Sequence, residues 1–197
     1  MTKTFSVDQI AERLALPKTT VYEWVADLPL GRPKRWSVGQ RRGTQAMQGK
    51  YRRLREQAYE QGWAEYDELV VRPTFRDFVV LYIAEGYKRS RNTASMCNSD
   101  SAIVAVGSRW MHELSGHVPA VRVQHHADQD PDDLRSYWGK ALGIDPAAVV
   151  LVPKSNSGQM RGRSWRCVHG VAEVAVHDTL FRARLQAWMD RVSEAWR

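Results

Sequence analysis

The stretch FVVLYIAEGYKRS, residues 78–90, places seven apolar or aromatic residues directly before a carboxylate and a glycine, Glu85 and Gly86. The run is too short to span a bilayer, which takes about 20 residues, and its length is typical of a buried helix. A helix that is apolar on every side must be buried on every side. We therefore predict a helix over 74–85 that packs on its own sheet with one side and on a second helix with the other.

The composition is that of a folded, basic protein. Of its 197 residues 43% are apolar and 26% charged, which excludes an intrinsically disordered chain. The net charge of +7 favours a polyanionic partner, because Lys and Arg release counterions from a phosphate backbone. Two distant cysteines, Cys97 and Cys167, exclude a disulfide framework and favour a reducing cytoplasm. The N-terminus lacks the apolar segment of a signal peptide, and no membrane partner is expected.

Basic residues cluster between residues 31 and 55, where no acidic residue occurs. A solvated helix ordinarily mixes charges of both signs, so this segregation favours a surface that faces phosphates. The cluster consists of Arg32, Lys34, Arg35, Arg41, Arg42, Lys50, Arg52, Arg53 and Arg55.

Two short helices joined by a tight turn are predicted over 7–28, with Ser6 as the cap of the first and Pro17 opening the second. Helical spacing predicts that these helices bury Ile10, Ala11, Leu14, Leu16, Val21, Trp24 and Val25. A long basic linker helix follows over 39–69, and Arg72 with Pro73 marks a domain boundary.

The rest of the chain alternates between helix and strand patterns. Strands are predicted at 93–98, 121–127, 148–153 and 168–176, and helices at 100–115, 130–143 and 179–192. These elements predict a mixed α+β domain with an antiparallel sheet, one face buried and the other exposed.

The segment VDQIAERLALPKTTVYEWVADLPL, residues 7–30, resembles a helix-turn-helix: IAERL, a short turn, then KTTVYEW. It departs from the usual pattern at Ala15, where Gly is common, and at Pro17, where Ser or Thr usually caps. The resemblance implies that the second helix reads base edges in the major groove. The side chains that would do so are Lys18, Thr19, Thr20 and Tyr22. The alternative is a pair of helices packed for other reasons.

The following LGRPKRW, residues 30–36, contains the Gly-Arg-Pro core of arms that enter the minor groove of DNA. It would contact DNA through Arg32, Lys34 and Arg35, and the linker helix would continue the contact to phosphates through Arg41 and Arg42. An ordinary linker explains the segment equally well.

The segment LYIAEGYK, residues 81–88, resembles the LAGLIDADG motif of homing endonucleases, an apolar helix that ends in an acid and a glycine. Glu85 then corresponds to the final acid, Gly86 to the final glycine, and Ala84 to the small residue at which two such helices approach each other. The blocks NSD, VRVQHHADQD with YWGKALGI, and GVAEVAV with LQAWMDRV further resemble bacterial proteins that join a helix-turn-helix to a LAGLIDADG-like domain.

This resemblance implies a homodimer through paired helices 75–85, because the chain holds no second copy of the motif. Two Glu85 carboxylates would then lie near each other and bind Mg²⁺ against scissile phosphates. In the alternative, Glu85 is a structural acid satisfied by Lys88 or Arg89.

The family places the concave face of its sheet over the major groove. Strand alternation puts Arg122, Gln124 and His126 on one face, and Arg and Gln read guanine and adenine, so Arg122 and Gln124 are predicted contacts. The loop 154–166 adds three predicted phosphate contacts, Lys154, Arg161 and Arg163. The alternatives are a solvated strand face and an ordinary hairpin tip.

The predicted organisation is therefore a helix-turn-helix domain with a basic arm over 1–36, a basic linker helix over 37–72, and an α+β LAGLIDADG-like domain over 73–197. Three functions remain open. The first is a bacterial or phage transcriptional regulator in the nucleoid, which binds double-stranded DNA and needs no cofactor. The second is a Mg²⁺-dependent DNA endonuclease that uses Glu85. The fusion to a helix-turn-helix favours regulation over enzyme activity. The third is a DNA-binding protein whose C-terminal domain only dimerises or senses a ligand.

Overall fold

The computed structural model describes residues 5–26, 37–154 and 167–197. The chain divides into two compact units, Met1–Met47 and Gln48–Arg197. None of the helices in the described ranges is both long and apolar enough to cross a membrane.

The first unit contains α1, Val7–Leu14, and α2, Lys18–Val25. Ser6 caps α1 as predicted: its hydroxyl accepts from the Gln9 N–H at 3.3 Å, and its own N–H donates to the Gln9 side chain at 2.9 Å. This reciprocal pair satisfies two backbone groups that the helix start leaves open. Ala15 ends α1 in the left-handed conformation, with φ 51° and ψ 41°. That backbone explains why a glycine would suit the position, since a Cβ there costs about 1–2 kcal/mol.

The buried centre between α1 and α2 is small. Ala11 and Val21 are buried, and Ile10 is half-buried. Leu14 and Trp24 remain 53% and 62% exposed, so their predicted burial is wrong. Two eight-residue helices offer too little mutual surface to cover side chains at three positions on each helix.

The helix predicted over 39–69 is confirmed as α3, Val38–Leu69, and the division between the two units falls within it. Its C-terminal part packs on α7, Thr179–Glu194. Gly62 permits the contact, because a Cβ there would lie 2.7 Å from the Arg184 Cα. Glu65 binds the Arg184 guanidinium through both oxygens, at 2.7 and 3.0 Å. The second half of α3 is thereby a structural part of the second unit.

The α+β class and the predicted elements of the second unit are confirmed. Acidic side chains cap three of its helices: Asp100 for α5, Asp130 for α6 and Asp178 for α7. Besides α7, the unit contains α4 (Phe75–Glu85), β1 (Ala94–Asn98), α5 (Ser101–Ser115), β2 (Ala120–His125), α6 (Pro131–Leu142), β3 (Val149–Pro153) and β4 (Val171–Val176).

The four described strands form one sheet in the order β1-β4-β2-β3. β4 is antiparallel to both of its neighbours, but β2 and β3 are parallel. The prediction of an antiparallel sheet is therefore wrong at this pair. The chain leaves β2, crosses through α6 and enters β3 in the same direction, which is how a helical crossover makes parallel strands.

The sheet has one buried and one exposed face, as predicted. Along β2, Val121 and Val123 are buried, whereas Arg122 and Gln124 between them are exposed. The buried face packs against a core that includes Trp110, Trp138 and Trp188, together with the inner residues of α4. The other face is the open sheet face.

The apolar helix α4 is buried on one side only. Phe75, Phe78, Val79 and Tyr82 are fully buried, and they face the core. Val80, Leu81 and Ile83 are half-buried, while Ala84 and Glu85 are exposed. The folded chain thus leaves a partly apolar stripe of this helix uncovered.

Gly86 joins α4 to the sheet through an unusually close contact. Its N–H donates to the Tyr82 carbonyl at 2.8 Å while its backbone bridges to Met96 of β1. The next residue, Tyr87, donates its N–H to the Ser95 carbonyl at 2.8 Å. A Cβ on Gly86 would lie 2.4 Å from the Tyr82 carbonyl oxygen. Only glycine fits between the helix end and the edge strand without a backbone shift.

We predict that Gly86→Ala lowers the free energy of unfolding by about 2 kcal/mol, because the added methyl overpacks a contact made by backbone. Gly49→Ala is the matched control, since a Cβ at that helical position meets nothing within 4 Å. This control should gain stability of about 1 kcal/mol from helix propensity. Urea unfolding followed by circular dichroism measures both, and equal stability of Gly86→Ala and the wild type would contradict the packing argument.

Candidate nucleic-acid interface

The open sheet face brings the predicted β2 contacts together with side chains from both neighbouring strands. Arg122 lies opposite Glu173 of β4 and Val150 of β3. Gln124 occupies the next exposed position of β2, two residues along. Directly opposed residues in a sheet have Cβ atoms about 5 Å apart, so the guanidinium and the carboxylate share one patch. This surface is mixed in charge, with hydrogen-bond donors and acceptors side by side.

His126 does not join this patch, which corrects the predicted grouping with Arg122 and Gln124. β2 ends at His125, and His126 is buried, with 8% of its surface exposed. Its backbone N–H donates to the Gln129 side chain at 2.8 Å, and Gln129 in turn donates to the carbonyls of Cys167 and Val168. The chain turns after His125, so the alternation of the strand does not extend to His126.

Glu85 is exposed at the last position of α4. The predicted alternative was that Lys88 or Arg89 pairs with this carboxylate. The Lys88 ammonium instead donates to the Ile83 carbonyl at 2.7 Å. Across the described ranges, Glu85 makes no ion pair with either residue. Its carboxylate is therefore available to solvent or to a partner.

The thiol of Cys97 on β1 is affected by two carboxylates, those of Glu173 and Glu85. Partial burial raises the pKa of its thiol, and the negative charges of Glu173 and Glu85 raise it further. Cys97 is also the cross-strand partner of Glu173. Glu85 therefore lies within electrostatic range of Cys97, as Glu173 does.

A metal site within one chain is not formed by these acids. Throughout the described part of the chain, no group of three or more His, Cys, Asp or Glu side chains is arranged to hold a metal ion. Mg²⁺ bound at Glu85 would need its other oxygen ligands from phosphates, water or a second chain.

In the first unit, the predicted DNA-reading residues are mostly exposed. Lys18, Thr19 and Tyr22 are exposed on α2, and Thr20 is half-buried. The Lys18 ammonium lies 2.8 Å from the Asp8 carboxylate, and this hydrogen bond raises the pKa of Lys18. Lys18 is thus fully charged, and the exposed ion pair is weak enough to exchange for a phosphate.

The remaining predicted contacts lie partly within the described residues. Arg41 and Arg42 are exposed near the start of α3. Lys154 is half-buried just after β3, and its N–H donates to the His125 carbonyl at 2.9 Å. Five predicted contacts lie outside the described residues: Arg32, Lys34, Arg35, Arg161 and Arg163.

Sequence reasoning missed Cys97 and Glu173 as members of the open sheet face. The alternation of 168–176 correctly places Ala172, Val174 and Val176 inward, which already implies that Glu173 points outward. What the sequence lacks is the strand register that puts Glu173 between Cys97 and Arg122.

No protein-family model, no curated protein and no solved structure matches this chain.

The placement of the two acids predicts the reactivity of Cys97. In a Cys167→Ser background, the pH midpoint of Cys97 alkylation by iodoacetamide should lie above that of an ordinary thiol, because the thiolate is disfavoured by burial and by both carboxylates. Glu173→Gln should lower the midpoint, and Glu85→Gln should lower it less. Glu68→Gln, an exposed acid on α3, is the control. A midpoint unmoved by Glu173→Gln would contradict this placement.

Proposed function

We propose that this chain is a sequence-specific double-stranded DNA-binding protein that regulates transcription. The observation that carries the proposal is the α1–turn–α2 pair. Ala11 and Val21 close the two helices on each other, and the first turn of α2 presents Lys18 and Thr19 to solvent, with Tyr22 on the next turn. A short helix with polar side chains at its N-terminal end is what a helix-turn-helix inserts into the major groove.

The open sheet face supplies a second candidate contact surface. Arg122 can donate two hydrogen bonds to guanine, and Gln124 can pair with adenine. Glu173, opposite Arg122, accepts from the amino group of cytosine in the same way. A mixed surface of this kind suits base reading better than uniform phosphate binding, which supports sequence specificity.

The resemblance to LAGLIDADG proteins, together with the uncovered stripe of α4, supports a homodimer. Val80 and Leu81 are half-buried and Ala84 is exposed one turn later, so the stripe combines apolar surface with a small residue that permits close approach. Two copies related by a two-fold axis would read a symmetric pair of half-sites.

A Mg²⁺-dependent endonuclease is the second candidate, and the exposed Glu85 favours it. The carboxylate stands at the end of the same helix, so pairing two copies of α4 would bring two such acids toward each other. The two candidates share the DNA and differ in whether its backbone is cut.

The proposal predicts that the protein selects particular duplexes from a randomised DNA library, and that its affinity for them falls strongly as the salt concentration rises. Arg122→Ala should cost about 1–3 kcal/mol against the selected site and relax preference at one base position. Lys18→Ala should weaken binding to all duplexes. Lys140→Ala, an exposed residue of α6, is the charge-matched control and should change neither quantity.

Several outcomes decide between the functions. Absence of salt-dependent binding to any duplex would refute the proposal. If Lys18→Ala weakens binding while Arg122→Ala and Gln124→Ala do not, the C-terminal unit only dimerises or senses a ligand. Uncut DNA in Mg²⁺ supports regulation, whereas discrete cleavage that Glu85→Gln abolishes establishes the enzyme.

The dimer is tested by Ala84→Arg, which places a long cation on the exposed side of α4. We predict that light scattering gives about twice the chain mass of 22.6 kDa for the wild type and the monomer mass for the variant. Ala147→Arg, at an exposed alanine elsewhere in the unit, should remain dimeric. A monomeric wild type at micromolar concentration would contradict the pairing.

A further inference from the structure

A cavity of about 690 Å³ lies in the second unit, where α3, α7 and the segment 88–91 meet. Its lining is strongly basic, with two carboxylates, Glu56 and Glu60, among the cations. The basic side chains are Arg52, Arg55, Lys88, Arg89, Arg91 and Arg182. Tyr59 also lines it, and burial together with a hydrogen bond to Asp190 raises the pKa of Tyr59 to about 12, so its hydroxyl adds no negative charge.

Arg182 is the buried member of this set, with 5% of its surface exposed. Its Nη1 donates to the Gln186 side-chain oxygen at 3.2 Å and its Nη2 to the Lys88 carbonyl at 3.3 Å. Its Nε has no hydrogen-bond partner within the described residues. Both acceptors are neutral, and both bonds are long for a guanidinium.

The next arginine on the same helix shows what is missing. Arg184, two residues along α7, is paired with both oxygens of Glu65. For Arg182, no carboxylate lies within 4 Å among the residues that the structure describes. A buried cation is costly unless it is paired, so the counter-charge for Arg182 should come from a bound anion.

The neighbouring cations indicate which anion. A guanidinium fork matches the geometry of phosphate and can bind two of its oxygens at once. A phosphate monoester carries about 1.5 to 2 negative charges at neutral pH, which suits several cations better than a single carboxylate does. The cavity volume is within the range of about 300–1,000 Å³ typical of small-molecule sites.

We propose that this cavity binds a phosphate group, with Arg182 as its buried anchor and Arg89 and Arg91 as cations at its rim. The phosphate comes either from a small phosphorylated ligand or from a nucleic-acid backbone. Binding of a free phosphate compound does not require the proposed DNA-binding function, so the two ideas can fail separately.

Titration calorimetry of the full-length protein with pyrophosphate and with inorganic phosphate, at constant ionic strength, tests the site. We expect one saturable site. Its affinity should fall about tenfold or more in the Arg89→Ala, Arg91→Ala double variant, which is the equivalent of losing one charge-assisted hydrogen bond. Arg135→Ala, an arginine outside the cavity that faces Asp132 at 3.5 Å, is the control and should bind as the wild type does. No saturable binding of either anion up to about 10 mM, or equal weakening in the control, would overturn the proposal.

Arg182→Lys tests the anchor while retaining its charge. The ammonium cannot reproduce the two-pronged contact, so phosphate affinity should fall by about tenfold in a protein whose circular dichroism spectrum is unchanged. Wild-type affinity in this variant would overturn the role of Arg182. Because Arg89 and Arg91 are exposed, their variants keep the test valid if Arg182→Lys fails to fold.

A parallel titration with duplex DNA identifies the source of the phosphate. If the backbone occupies the cavity, pyrophosphate competes with DNA, and the double variant lowers the salt slope of DNA affinity by about one for each lost contact. If a small ligand occupies it, the double variant binds DNA normally and loses pyrophosphate. Either result supports the phosphate site. Saturable pyrophosphate binding without DNA binding would refute the proposed function and leave the site standing.

Discussion

The contact between Gly86 and the last turn of α4 determines how the second unit is assembled. The Gly86 N–H binds the Tyr82 carbonyl and the next residue, Tyr87, pairs with Ser95, so the chain passes directly from the end of α4 to β1. The residue before the contact, Glu85, is thereby left exposed near Cys97. The residue after the pairing, Lys88, turns its carbonyl toward Arg182. The exposed acid Glu85 and the Lys88 carbonyl that binds Arg182 thus lie on either side of one tight junction.

The charged side chains of the second unit divide into two kinds by how they are compensated. Glu65 and Arg184 neutralise each other across the α3–α7 contact, and such a pair holds two elements in register whatever its net energy. Arg182 is more deeply buried than Arg184, and within the described residues no carboxylate pairs with it. In the first arrangement the two charges neutralise each other, whereas the described hydrogen bonds of Arg182 go to two neutral acceptors. Burial alone therefore does not single out a candidate binding residue, and burial with incomplete compensation is the more informative sign.

Local features of this fold could be predicted from the sequence and non-local ones could not. Helical and strand periods predicted the elements, and Ser6 was predictable as a cap because its partner, Gln9, is three residues away. The parallel pairing of β2 and β3 depends on where a crossover delivers the chain, which no local pattern encodes. For the same reason the sequence could not predict the grouping of Glu85, Cys97 and Glu173, because which residues lie close across strands depends on the strand register. The predicted burial of Trp24 was wrong for another reason: its spacing was helical, but among the described residues α1 and α2 are too short to cover it.

Glu85 and Gly86 look like one motif in the sequence, yet the fold separates their roles. Gly86 is required by packing, because a Cβ at this position would collide with the Tyr82 carbonyl oxygen. That requirement would hold in a protein with no function at this site. Glu85 has no such requirement: it is exposed, and Lys88 binds the Ile83 carbonyl rather than the acid. Because Glu85 is exposed and makes no ion pair within the described residues, it is the part of the pair on which a functional argument can rest.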